Sequence, residues 1–346
     1  VARFALKRFV MALSFAPACL PLPRSGAPLG APEGGHERAV ATLPQRRPAE
    51  TPLALGAAGF PGLTLDGERA WVGRAAAERL IDRVGMAYLR DERAAGAPPP
   101  EQLVAVAEQL RLAEHGRPRA IKAEILGPVS LALQATDDHE RPLAYDPALR
   151  EALAQHLALR AEWVRDLIES SGAGALVALD EPFLDALGSP FCPLDWDEGG
   201  DLLARTLEDI GGNGGICVAG EPRWDAVLSL PADVIFFDAY EHSAGLVQAA
   251  GAAAAYLERG GALGWGVVPA DPAGLTQERA ETLARRVISS IEYLAAAAGV
   301  APALVAARSL ISSGGGLAQL TQQQAARAAT LCAEVSAAAR AHFGLE

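Results

Sequence analysis

The clearest strand signal in the chain is Ala175-Leu176-Val177-Ala178-Leu179-Asp180-Glu181-Pro182. An apolar run, Ala175 to Leu179, leads directly into two carboxylates and a proline. A continuous apolar run this short fits a strand buried on both faces, as in a parallel sheet wrapped by helices. The acids then sit at the strand's C-terminal end, the rim where α/β barrels and open α/β sheets bind ligands. Adjacent strand residues point to opposite faces, so one of the two acids reaches the ligand side, and Asp180 is the choice. The competing role is a cap: Asp180 or Glu181 closing the turn that follows, with Pro182 at its first position.

Outward from this strand the pattern is regular. Upstream lie a helix from Gly73 to Arg93, a second from Pro100 to Glu114 and a strand from Ala120 to Leu126. Gly127-Pro128 closes that strand, a short helix begins at Val129, and a long amphipathic helix runs from Pro147 to Ser170. Downstream, strands are read at Gly215 to Ala219, Asp233 to Asp238, Ala262 to Pro269 and Ala306 to Ser312. Helices at Asp201 to Ile210, Ala244 to Arg259, Thr276 to Ala298 and Thr321 to His342 alternate with them. Strands alternating with helices make βαβ units and a parallel sheet. Six strands from Ala120 onward, with one or two more from the N-terminal third, predict a single (β/α)8 TIM barrel over residues 51–346. Residues 1–50 are rich in Pro, Gly, Ala and Arg and read as an irregular N-terminal segment, with at most a strand near Ala18 to Leu22. A doubly wound sheet is the competing architecture; polar or glycine residues at every strand end favour the barrel.

The 346 residues suit one barrel, and 50% apolar content supports a large core. A net charge of −12 disfavours nucleic acid and anionic membrane as partners. Cys19, Cys192, Cys217 and Cys332 lie far apart with no Cys-x-x-Cys pair, so they form neither a disulfide framework nor a zinc ribbon. Arg3, Lys7 and Arg8 before the apolar run Phe9 to Leu20 outline a signal peptide, with Met11 as an alternative start. Ser14 and Pro17 interrupt that run, and the chain is read as cytoplasmic.

The strand ends supply the candidate chemistry. Asp180-Glu181 suits a substrate ammonium or acid/base work. Cys217 is either a thiolate ligand or a small buried hydrophobe. Asp238, Glu241 and His242 follow the next strand, and Trp265 and Asp271 the one after. Ser312 precedes Gly314-Gly315-Gly316, which is either an anion cradle or a loose turn.

Lys122 with Gly127-Pro128-Val129-Ser130, then Leu179-Asp180-Glu181-Pro182, Ile216-Cys217, Gly264-Trp265-Gly266-Val267-Val268 and Gly315-Gly316-Leu317 fall in one order. That order resembles the catalytic C-terminal barrel of cobalamin-independent methionine synthase, within the superfamily it shares with uroporphyrinogen decarboxylase. The resemblance runs from Ala120 to the C-terminus, and Pro21-Leu22-Pro23-Arg24 is similar to a degraded first-strand motif. It implies methyl transfer to a thiol that zinc activates. Of the family's zinc ligands, the His position falls on Gly215, the first Cys on Cys217, the Glu on Asp238 and the late Cys on Gly315. The implied zinc site is therefore degenerate, with Glu241 or His242 as substitutes.

The resemblance also implies that Asp180 holds an amino-acid substrate. The candidate site is then Asp180, Glu181 and Cys217 for catalysis. Lys122, Asp180, Trp265 and Ser312 face the substrate, and Cys217, Asp238, Glu241 and His242 are metal ligands. The partner is a small amino acid or thiol. Two other readings stay open: a catalytically inactive small-molecule-binding barrel, and a decarboxylase-like enzyme, for which Arg24 is the well-placed arginine.

Overall fold

The computed structural model describes residues 40–42, 59–66, 69–99, 120–315 and 320–345. The strand near Ala18 to Leu22, Cys19, Arg24, the helix from Pro100 to Glu114, and Gly316 with Leu317 lie outside the described residues. In chain order the strands are β1 (Val40–Thr42), β2 (Leu63–Asp66), β3 (Arg69–Val72), β4 (Ala120–Leu126), β5 (Thr136–Asp137), β6 (Gly174–Glu181), β7 (Gly214–Val218), β8 (Val234–Phe237), β9 (Ala262–Val268) and β10 (Ser309–Ser313). The helices are α1 (Arg74–Leu89), α2 (Pro128–Gln134), α3 (Pro147–Glu169), α4 (Trp196–Asp209), α5 (Trp224–Ser229), α6 (Ser243–Gln248), α7 (Ala250–Glu258), α8 (Pro272–Gln277), α9 (Ala280–Ala298), α10 (Pro302–Ala307) and α11 (Gln322–Phe343).

The main sheet has the order β1-β4-β6-β7-β8-β9-β10, and every pairing in it is parallel. The order never reverses. A doubly wound sheet reverses at a switch point, so that competitor does not describe this sheet. With right-handed crossovers, an unreversed order lays the helices on one face. On that face Val177, Leu179, Ile216, Ile235, Leu263, Trp265 and Ile311 share a core with helical residues such as Leu153, Leu203, Val287 and Leu331.

The other face carries the alternate residues: Lys122, Glu124, Ala178, Asp180, Gly215, Cys217, Phe236, Gly264 and Ser312. The sheet curls around this face. Lys122 on β4 and Phe236 on β8 are separated by β6 and β7, yet the Lys122 Nζ lies 3.7 Å from the Phe236 ring centroid. In a flat sheet their backbones would stand about 14 Å apart. Ala178 and Gly215, register partners on the inner face of the two strands between them, are small. β1 and β10 are the sheet's edges and do not pair among the described residues. What the described residues form is a curled parallel sheet of six strands plus the three-residue β1.

Several boundaries differ from the expectation, each for a local reason. The segment expected as a strand from Ala306 begins as helix α10, with Pro302 in its first turn, and β10 starts only at Ser309. α4 starts at Trp196, ahead of the expected Asp201, because Asp195 caps it by accepting from the Glu198 amide at 2.8 Å. The expected helix from Thr276 is two helices, α8 and α9, broken by extended Glu278 and Arg279. α5 fills what read as a plain connection. β2, β3 and β5 form a separate three-stranded sheet with no expected counterpart.

Candidate functional site

At the end of β6 the two acids separate as strand alternation requires. Glu181 turns to the helix side and is fully buried. Its Oε1 accepts from the Val129 amide at 3.0 Å; its Oε2 accepts from the Ser130 amide at 2.8 Å and the Ser130 hydroxyl at 2.6 Å. Those amides are the free N–H groups of the α2 N-terminus. A capping role is therefore present, but across to α2, whereas the expectation placed it on the turn after Pro182. The backbone makes a further tie: the Gly127 amide donates to the Asp180 carbonyl at 2.8 Å. Gly127 has to be glycine, since a Cβ there would collide with the Glu181 carboxylate. Burial pushes the Glu181 pKa up to about 7, opposed by the Ser130 hydroxyl and the Ser130 and Val129 amides. The Gly-Pro-Val-Ser and Asp-Glu-Pro motifs are thus one unit that fixes the end of β6.

Asp180 is half-buried on the inner face, in register with Leu126 on one side and Cys217 on the other. The Cys217 thiol donates to Glu124 Oε1 at 3.6 Å. The same oxygen is ion-paired with the buried Lys122 ammonium. Glu124 went unnoticed in the sequence, although a second charge two residues from Lys122 in an otherwise apolar strand was the available signal. A Cβ on Gly215 would lie 3.2 Å from the Val234 carbonyl oxygen, 3.3 Å from Ala178 Cβ and 3.6 Å from the Phe236 ring. A Cβ on Gly264 would strike that same ring. Phe236 therefore fills the inner surface over both glycines.

Asp238 ends β8. Its Oδ1 accepts from the Tyr240 amide at 2.9 Å and the Glu241 amide at 3.1 Å, closing a turn. Burial raises its pKa, opposed first by those two amides. Ser312 is buried on the inner face beside Gly266, with its hydroxyl on the Ser313 carbonyl at 3.2 Å. His242 Nδ1 stands 3.3 Å from Glu221 Oε1, and Glu241 is exposed. Trp265 lies on the helix side, where its Nε1 donates to Ser309 Oγ at 2.9 Å and its ring meets Phe237 at 5.2 Å. The structure thus brings Lys122, Asp180 and Cys217 to one face, with Asp238 and Ser312 toward the later strands. Glu181 and Trp265 occupy the opposite face, and Glu241 and His242 the loop after β8.

The residues at the positions implied for zinc do not fit that ion. Gly215 and Gly315 carry no donor. Zinc takes three protein ligands even in catalytic sites. Among the described residues, no group of three or more His, Cys, Asp or Glu side chains is placed to hold a metal. No helix among them is long and apolar enough to cross a membrane.

No protein-family model matches the chain, and no curated protein matches it. Solved structures similar to it include a B12-independent methionine synthase from Shewanella sp. W3-18-1 in complex with selenomethionine. That match has 19% identity and a TM-score of 0.47, over 69% of this chain and 67% of that one. A methyltransferase from Methanosarcina mazei matches at 14% identity and TM-score 0.46, over 70% of this chain and 65% of that one. A modular endo-beta-1,4-mannanase from Cellulomonas fimi matches at 13% identity and TM-score 0.38, over 91% and 69%. The chain spans about two thirds of the length of each.

Proposed function

We propose that this chain is a methyltransferase-class (β/α)8 barrel that binds a small amino acid or thiol at the C-terminal rim of its sheet. The observation that carries the reading is the convergence of Asp180, Cys217, Glu124 and Lys122 on one face of three adjacent strands. Asp180 receives the substrate ammonium, and the Glu181 anchor holds its strand end in place. The order of motifs along the chain supports methyl transfer to a thiol as the reaction.

The test uses the purified full chain with homocysteine and a panel of 13C-methyl donors: a methylated folate, a methyl sulfonium and a methylated amine. The reading expects labelled methionine from at least one donor. It also expects a loss of about a hundredfold in Asp180→Asn, the scale of a broken buried charge pair. No transfer from any donor contradicts it. Gly215 and Gly315 favour a second reading, a barrel that binds its ligand without turnover. Binding of homocysteine or methionine with no transfer selects that one.

A further inference from the structure

We propose that Glu221 is a two-position latch at the rim. Its carboxylate ties the loop after β7 to the loop after β8 through His242, and it releases that tie by turning to the indole of Trp224. Glu221 follows β7, and Trp224, three residues later, opens α5. The Trp224 ring is 5% exposed and packs edge-on against Phe237 at 5.2 Å. Its Nε1 is buried and has no hydrogen-bond partner among the described residues. A buried donor left unpaired is costly, and native structures seldom keep one without a use. An indole N–H only donates, so the group that satisfies it must be an acceptor.

That acceptor stands beside it. A Cβ on Gly245 of α6 would collide with both Glu221 Oε2 and Trp224 Nε1, so the carboxylate and the indole abut the same glycine. The other oxygen holds Glu221 elsewhere: Oε1 is 3.3 Å from His242 Nδ1, and a carboxylate only accepts, so the imidazole N–H donates. The two side chains of that pair are 50% and 37% exposed, and exposed pairs of this kind are weak. One carboxylate thus has two donors to choose between. On His242 it spans two loops; on Trp224 it closes on its own segment, and the loop after β8 loses the tie. That loop is the turn in which Asp238 Oδ1 accepts from the Tyr240 and Glu241 amides, and the His242 amide donates to the Asp238 carbonyl at 3.1 Å. The exchange gives up one hydrogen bond and makes another while relieving the buried indole, which keeps the two positions close in free energy. The latch needs neither methyl transfer nor a ligand at Asp180.

The experiment compares the full chain with His242→Ala and Glu221→Ala by NMR. It follows the Trp224 indole N–H, assigned through the ring contact with Phe237, and hydrogen exchange of the Tyr240 and Glu241 amides. Both variants remove the tie, so both turn amides are expected to exchange about tenfold faster in each. Only His242→Ala leaves a carboxylate free to move. There the Trp224 N–H resonance shifts downfield and its exchange with solvent slows about tenfold; in Glu221→Ala it does neither. An indole that behaves alike in the two variants makes the pair a fixed structural contact and overturns the proposal, as does turn exchange unchanged in both. If His242→Ala does not fold, His242→Phe, which keeps a ring without the N–H, takes its place.

Discussion

Glu181 concentrates the local physics of this site. Its oxygens receive three hydrogen bonds at a helix N-terminus, which favours the ionised form, while complete burial favours the neutral one. Burial prevails, lifting the group from 4.5 to about 7. The folded state therefore holds this proton more tightly than the unfolded chain. The stability that results is fully present below pH 4.5 and is lost as pH rises through about 7. In urea unfolding from pH 4.5 to 8, wild type is expected to lose about 3 kcal/mol relative to Glu181→Gln. A difference that stays flat with pH would show that the carboxylate is ionised throughout. Phe236 makes a complementary point, since one ring covers two glycines and carries an ammonium over its face.

At the scale of elements, the unit that matters is β4–α2–β6. The Asp180 carbonyl, the Glu181 carboxylate and the α2 amides knit two strand ends to one helix start. Gly127→Ala places a methyl group against the Glu181 carboxylate. The expected cost is about 2 kcal/mol of stability in urea unfolding, together with weaker ligand binding at Asp180. A substitution without effect on either would mean that the anchor does not position the rim. This unit was half legible in the sequence. The strand and its acids stood out because a short apolar run has few other uses. That Glu181 reaches α2, and not the turn after it, depends on a contact between residues 51 and 52 positions apart, which local pattern does not encode. For the same reason Glu124 was missed: its meaning lies in Cys217, on another strand. The helix α10 was misread because its alanines and valine suit either state, and Pro302 decided the matter.

Across the whole molecule, the unreversed parallel order and the curl of the sheet create one inner face, and the chemistry collects at its C-terminal end. The alternation of β4, β6 and β7 places Asp180 beside Cys217 and above Glu124. Parallel α/β sheets place ligands at this end because the strand ends and the following loops converge there. The role proposed for this rim is to hold a small ligand by its ammonium group through Asp180. Isothermal titration of L-methionine into the full chain and into Asp180→Asn tests it directly. Saturable one-to-one binding that weakens at least about tenfold in the variant is expected; no binding to the unaltered protein, or equal affinity in both, rules this role out.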